Sequence, residues 1–233
     1  TAAAAMDGVV GVFTAQDLEG MIKPIRATSR MKGYQSTALL ALAAGKLRYV
    51  GEPVVAVVAE SRYLAEDAVE KIIIDTEPLP PLVDPEKSAA DKAPLVHDDM
   101  TSNVLAIREF TRGDVDGAME SAHLRVGGRF RFHRISPTAM ENRAYLAEYS
   151  RADRSLTLHS TTQVPGIIRD ALVQILGMKG NKLRVIAPDV GGGFGGKTSL
   201  YPEEFLVCAL SRHLRKPVKW AGDRVEDLMS TSQ

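Results

Sequence analysis

The chain has 233 residues, 45% of them hydrophobic and 25% charged, the proportions of an ordinary globular protein with room for one large domain or two small ones. Lysine plus arginine and aspartate plus glutamate each total 29, so the formal net charge is zero, which leaves no electrostatic footprint for nucleic acid and no polybasic patch for a membrane surface. No apolar run approaches the ~20 residues that cross a bilayer, and a single cysteine excludes an internal disulfide or a multi-cysteine metal or iron–sulfur site within this chain.

The opening TAAAAMDGVV lacks the basic and apolar regions of a secretion signal, and cytoplasm is the expected compartment. The first residue is Thr1 rather than Met, which fits a processed product or a piece of a longer chain. VVGVF (9–13) reads as a short strand, and TAQDL (14–18) as a helical turn with Thr14 as its N-cap. Residues 21–37 show no period and read as loop. The apolar run Val54 to Ala59 predicts a strand covered on both faces. A helix follows over 61–72, capped by Ser61, with Leu64, Ala65, Ala68, Val69 and Ile72 at helical spacing. IIID (72–75) suggests another strand, stopped by four prolines between residues 76 and 86.

The proline-rich stretch marks a boundary, and the expected division is 1–85, a linker at 86–98, and 99–233. In the second half, HLRVGGRFRFHR (123–134) alternates and predicts a strand bent at Gly127–Gly128. RAYLAEYS and RSLTLHSTT predict a hairpin turning around Arg151–Asp153. A helix over 164–178 has Pro165 in its first turn and Ile168, Leu172, Ile175 and Leu176 on one face. KLRVIAP (182–188) is a strand. PEEFLVCALSRHL (202–214) is a helix with Phe205, Leu206, Ala209 and Leu210 inward, and PVKWAG (217–222) is a last strand. The fold class is mixed α+β.

Between that strand and helix lies APDVGGGFGGKTSLYPEE (187–204), with five glycines. Gly191, Gly196, Lys197 and Thr198 spell the phosphate-binding G-x-x-x-x-G-K-[ST] pattern, while Gly191, Gly193 and Gly196 spell the dinucleotide pattern G-x-G-x-x-G. The first needs its Lys and Thr at the start of the helix, but Pro202 falls four residues beyond Thr198. The second needs an acid about 20 residues on, where RHLRKPVKW is basic. What glycines do in either case is bring the backbone close to a flat or anionic ligand and offer N–H groups to it; the bland reading is a tightly packed turn. Cys208 lies on the inward helix face and reads as a core thiol. The histidines at 97, 123, 133, 159 and 213 lack HxH or HExxH spacing, so no metal ligand is assigned. Glu203 and Glu204 fit a helix first turn, and Glu141 and Arg143 read either as site residues or as a buried ion pair.

RVIAPDVGGGFGGK resembles the glycine-rich signature of the molybdenum hydroxylases, the family of xanthine dehydrogenase, aldehyde oxidoreductase and aerobic carbon monoxide dehydrogenase. RYVGEPVVAVVAES, AEDAVEKIIIDTEPLPPLVDPEKS and PLVHDD resemble its α/β-hammerhead domain. GDVDGAMESA, TAMENRAYLAEY, LTLHSTTQVPGIIRDAL and YPEEFLVCALSRHLRKPVKWAGDRVEDL resemble its first molybdopterin-binding domain. The resemblance covers residues 7–230 and implies a hammerhead domain incomplete at its N-terminus followed by a C-terminally incomplete cofactor domain.

By that resemblance, Gln163, Gly192, Gly193, Phe194, Gly195 and Gly196 bind the cofactor: Gln163 beside the metal ligands, Phe194–Gly195 beside the apical oxo group, the remaining glycines around the pterin. The cofactor implied is molybdopterin with molybdenum, as the cytosine dinucleotide. Thr198 stands where xanthine-oxidising members carry a glutamate, which argues against a purine and places GGGFGGKTSLYPEE nearer the carbon monoxide dehydrogenase-like and aldehyde branches. The implied activity is oxidative hydroxylation of a small molecule with water as oxygen source. It belongs to a complete assembly with the rest of the subunit and with iron–sulfur and FAD partners, expected to be oligomeric. No catalytic residue is assigned here, and the chain alone is expected to be inactive. The alternatives are a cofactor-free structural or assembly subunit of the same fold, and a P-loop nucleotide-binding protein.

Overall fold

A computed structural model describes residues 2–231. Its elements, in chain order, are β1 (Val9–Phe13), β2 (Ile25–Arg26), β3 (Ala38–Leu39), β4 (Ala56–Ala59), α1 (Arg62–Val69), α2 (Pro85–Ser88), α3 (Val115–Ser121), β5 (Ala144–Ser150), β6 (Ser155–Ser160), α4 (Pro165–Leu176), β7 (Leu183–Ile186), α5 (Pro202–Leu214), β8 (Val218–Ala221) and α6 (Arg224–Ser230). The fold is mixed α+β, and the described residues divide into two compact units.

The larger unit comprises the chain up to Arg26, Ala38–Leu79 and the chain from Ser136. Its main sheet has the order β7-β6-β5-β8. β5 pairs antiparallel with both β6 and β8, and β6 pairs parallel with β7. The parallel pair is connected through α4, since two parallel strands need a crossover rather than a tight turn. α4 packs on β7, and α5 packs on β5 and β8. Ile168, Leu172, Ile175 and Leu176 are all buried, as are Phe205, Leu206, Cys208, Ala209 and Leu210, so both helical periodicities translate into packed faces. Gly177 ends α4 at φ +60, the left-handed C-cap conformation that glycine adopts without steric cost. Separate two-stranded ribbons join β1 with β4 and β2 with β3.

The smaller unit comprises Ala27–Thr37 and Pro80–Ile135. It contains α2 and α3, capped by Asp84 and Asp114. Asn103 and Gln35 tie it together. The Asn103 amide donates to the carbonyls of Ser88 and Pro94, and the Gln35 amide to that of Val104.

Several expectations are corrected. IIID forms no strand among the described residues, and Ile73 is 89% exposed. The alternating 123–134 segment is also not a strand; Phe130 and Phe132 stand in solvent. Alternation states which side chains share a face, but a strand exists only with a lateral hydrogen-bonding partner, and none of the described residues supplies one. β4 is half-buried rather than covered on both faces, and of the apolar positions on α1 only Ala68 is buried. Thr14 does not cap the turn at Gln16–Leu18: its N–H and hydroxyl donate to Asp17, and the residue at the N-cap position is Ala15. Short pairing at β2–β3 and the helix α6 occur where no element was expected. Ser61 does cap α1, accepting from the Leu64 N–H.

Candidate functional site

The sheet topology decides which residues meet. Since β6 and β7 run parallel with His159 opposite Ile186, the segments that leave their C-terminal ends emerge at the same sheet edge, the usual place for ligand sites in parallel sheets. One of these segments is Thr161–Gln163, leading into α4; the other is residues 187–201, leading into α5. β5 is antiparallel with Tyr145 opposite Ser160, so the residues before β5 arrive at that edge as well. The same holds for those after β8, because Ala144 lies opposite Ala221. Four stretches remote in sequence therefore converge: 138–143, 161–163, 187–201 and 222–230.

Gln163 and the glycine loop interlock. The Gln163 side-chain oxygen accepts from the backbone N–H of Gly195 (3.2 Å) and of Lys197 (3.1 Å), and the Gln163 N–H donates to the Lys197 carbonyl (2.9 Å). A Cβ at position 193 would lie 2.4 Å from that same oxygen, so the close approach requires glycine there. Gly192 and Gly195 have φ of +98 and +93, and Phe194 between them has φ +48, an uncommon backbone conformation for a non-glycine residue. The turn projects the Phe194 ring outward, 77% exposed.

The hydrogen-bond inventory of the loop is one-sided. Gly196 donates to the Gly193 carbonyl and Thr198 to that of Gly195, but the consecutive N–H groups of Gly192, Gly193 and Phe194 have no acceptor among the described residues. With the Gln163 oxygen occupied, its amide nitrogen presents two further donors. The loop thus carries three consecutive backbone donors without an acceptor among the described residues, at half-buried Gly192, buried Gly193 and exposed Phe194, and it suits an anionic group approached closely by the backbone. The Thr198 hydroxyl turns back and donates to the Gly195 carbonyl (2.6 Å).

Beneath the loop lie charged groups. Lys197 is buried, with its ammonium 2.9 Å from a carboxylate oxygen of Glu141. Arg143 is buried between Asp227 (Nε to Oδ1, 2.9 Å) and Glu203 (3.2 Å), donates to the Ser230 hydroxyl, and lies 4.1 Å above the centre of the Tyr201 ring. Burial alone would favour neutral Arg143, but Glu203, Tyr145 and Asp227 outweigh it and hold the guanidinium above its usual pKa. The Tyr201 hydroxyl in turn donates to the Gly196 carbonyl. Glu204 accepts from the Ser160 hydroxyl (2.6 Å) and the Tyr201 N–H (3.1 Å). Burial pushes its carboxyl up to about 7 despite those two hydrogen bonds. Ionisable groups displaced by burial and by one another concentrate at sites and at their supports.

All six residues expected at the cofactor, Gln163 and Gly192 to Gly196, thus belong to one interlocked structure, and Thr198 sits at its end. The phosphate-cradling reading is overturned. Its lysine would have to reach out to a phosphate, whereas Lys197 is buried and paired with Glu141, and α5 starts four residues beyond Thr198. Glu141 and Arg143 do not form the ion pair with each other that one reading expected: Glu141 pairs with Lys197, and Arg143 with Glu203 and Asp227. Glu203 and Glu204 are more than helix-dipole partners, since they hold Arg143 and Tyr201 respectively. Asp227, Ser230 and Tyr201 were missed in the sequence, where the only available signal was the acid-rich DRVED segment following a strand. Cys208 is buried, as its position on α5 predicted.

Residues 96–233 match the family model of the molybdopterin cofactor-binding domain, and residues 1–80 match that of the aldehyde oxidase and xanthine dehydrogenase a/b hammerhead domain. Across its whole length the chain is 38% identical to 28% of the nicotine 6-hydroxylase large subunit of Paenarthrobacter nicotinovorans. Over 99% of its length it is 35% identical to 29% of the carbon monoxide dehydrogenase large chain of Afipia carboxidovorans. Among solved structures, quinoline 2-oxidoreductase from Pseudomonas putida 86 superposes on 97% of the chain with a TM-score of 0.91 and 37% identity, covering 28% of that structure's chain. The chain therefore spans less than a third of the length of these relatives. Together with the hammerhead and cofactor-domain matches, this similarity shows that the chain belongs to the aldehyde oxidase and xanthine dehydrogenase family of molybdopterin-binding proteins.

Proposed function

We propose that this chain is part of the molybdenum-cofactor-binding large subunit of an oxidoreductase that hydroxylates an aldehyde, an N-heterocycle or a similar small molecule with water as oxygen source. The observation that carries the reading is the donor cluster made by Gln163 and the N–H groups of Gly192, Gly193 and Phe194 at the shared edge of β6 and β7. The residues fit an anionic pterin: no acid lies within the 191–198 loop, the glycines permit close approach, and the donors have no acceptor among the described residues. When bound, the cofactor supplies a redox-active molybdenum centre.

In this reading the Gln163 amide and the three free N–H groups hold and orient the cofactor, as its cytosine dinucleotide. The Phe194 ring excludes water from one side, and Gly195 and Gly196 shape the turn. Thr198 borders the substrate pocket, and with no carboxylate at that position a purine is disfavoured. Nicotine and quinoline in the names of two relatives favour an N-heterocycle over an aldehyde. The reading includes the 1–85, 86–98 and 99–233 domain division, a cytoplasmic location, and an oligomeric assembly with the rest of the subunit and with iron–sulfur and FAD partners. Among the described residues no helix is long and apolar enough to cross a membrane.

The test is the molybdenum and released cytidine monophosphate content of the protein purified from its native cells with whatever accompanies it. Near-stoichiometric molybdenum, lost in Gln163→Ala and in Phe194→Asp, is the expected result. No molybdenum in cells that make the cofactor would overturn the reading and favour a cofactor-free assembly subunit.

A further inference from the structure

Glu141 contacts both ends of the glycine loop. One of its carboxylate oxygens accepts from the Gly191 N–H at 2.8 Å, where the loop begins, and from the Lys197 ammonium at 2.9 Å, where it ends. Its own N–H donates to the Gly191 carbonyl at 3.1 Å, and a Cβ at position 191 would lie 2.6 Å from the Glu141 Cβ. The segment that carries it is itself anchored, because Arg224 on α6 donates to the carbonyls of Ala139 and Met140, each at 2.7 Å. The Lys197 side chain is 4% exposed and that of Glu141 34%, and the Lys197 ammonium has no other partner among the described residues. The two sides of the pair are therefore unequal. A lone Glu141 could be hydrated, whereas a lone Lys197 ammonium would be stranded under the loop, where an unpaired charge is very costly.

We propose that Glu141 is a positioning residue that clamps the glycine loop. It closes the loop through Gly191 and holds the buried Lys197 ammonium beneath it, so that the donor face of Gly192–Phe194 is set before any ligand arrives. Lys197 serves as the internal half of this clamp. As a statement about cofactor retention this rests on the function proposed above; as a statement about the loop it stands without it.

The experiment uses the native complex, produced both in cells that make molybdopterin and in cells that cannot, with Glu141→Gln, Lys197→Met and the two combined. Amide hydrogen exchange at residues 191–198 is read in the cofactor-free protein, and molybdenum per chain in the loaded one. Glu141→Gln is expected to speed exchange of the Gly191, Gly195 and Lys197 amides about tenfold and to lower molybdenum content. Lys197→Met alone is expected to change exchange less. In the combined variant, removal of the stranded cation is expected to restore most of the protection and of the metal, a rescue that simple loss of packing would not show. Unchanged exchange in Glu141→Gln overturns the proposal. So does equal loss in the single and combined variants, and so does loss of protection spread through α4 and α5, which would make Glu141 a general stability residue. If wild-type protein carries no molybdenum, the functional reading fails while the exchange arm still decides the clamp.

Discussion

Replacing Glu204 by glutamine should make the protein more stable at neutral and alkaline pH and remove a specific pH dependence. Glu204 is buried in the first turn of α5, and burial raises its carboxyl from 4.5 to about 7, with Glu203 adding to the effect and the Ser160 hydroxyl, the Tyr201 N–H and Arg143 opposing it. Between those two values the folded protein binds the proton and the unfolded chain releases it, so stability falls as pH rises through this window. A displacement of that size corresponds to about 3 kcal/mol, present in full below 4.5 and lost above about 7. Glutamine can accept from the Tyr201 N–H and donate to the Ser160 hydroxyl, so it reproduces the protonated geometry without a charge to bury. The assay is urea unfolding of wild type and Glu204→Gln at about pH 5, 6 and 8. The difference between them should grow in favour of glutamine with rising pH, by up to about 3 kcal/mol, and then level off. Glu226, whose carboxyl is also raised by burial and by Glu203, contributes to both proteins and cancels. Parallel stability curves for the two proteins would refute the reasoning and would mean that Arg143 and the hydrogen bonds keep Glu204 ionised in the fold.

Gly193→Ala should displace the Gln163 side chain, which lies 2.4 Å from the position of the new Cβ, leaving the Gly195 and Lys197 N–H groups without their acceptor at a local cost of about 1–3 kcal/mol; molybdenum content should drop while circular dichroism stays unchanged. Arg143→Met should cost about 3–5 kcal/mol, because it strands the carboxylates of Glu203 and Asp227 in the interior; a shift in urea stability below about 1 kcal/mol would show that these acids are hydrated or protonated once the arginine is gone. Cys208 is fully buried, and burial, with Glu204, holds its thiol well above the usual value, so a thiol reagent should label it only after denaturation; labelling of the native protein at the unfolded rate would contradict the packing of α5.

Much of the fold was legible because it is local. The inward residues of α4 and α5, the β5–β6 hairpin and the Ser61 cap all follow from spacings of one or two turns, and the structure buries or bonds them as those spacings require. Where expectation and structure part, as at 72–75 and 123–134, the deciding quantity is a lateral partner, which no periodicity reports. The glycine loop was conspicuous in the sequence as a ligand candidate, and family resemblance extended it to Gln163. What the sequence alone determined is that the chain is helical around 61–72, 164–178 and 202–214, which stretch lets its backbone approach a ligand, and that no phosphate-loop helix begins at Lys197. The tertiary structure decided which groups face one another. Glu141 reaches Lys197 across 56 residues and Arg143 reaches Asp227 across 84. They meet because the parallel pairing of β6 with β7 and the antiparallel pairing of β5 with its neighbours bring four distant segments to one edge. Charge burial and pairing depend on that long-range register, and spacing along the chain does not encode it.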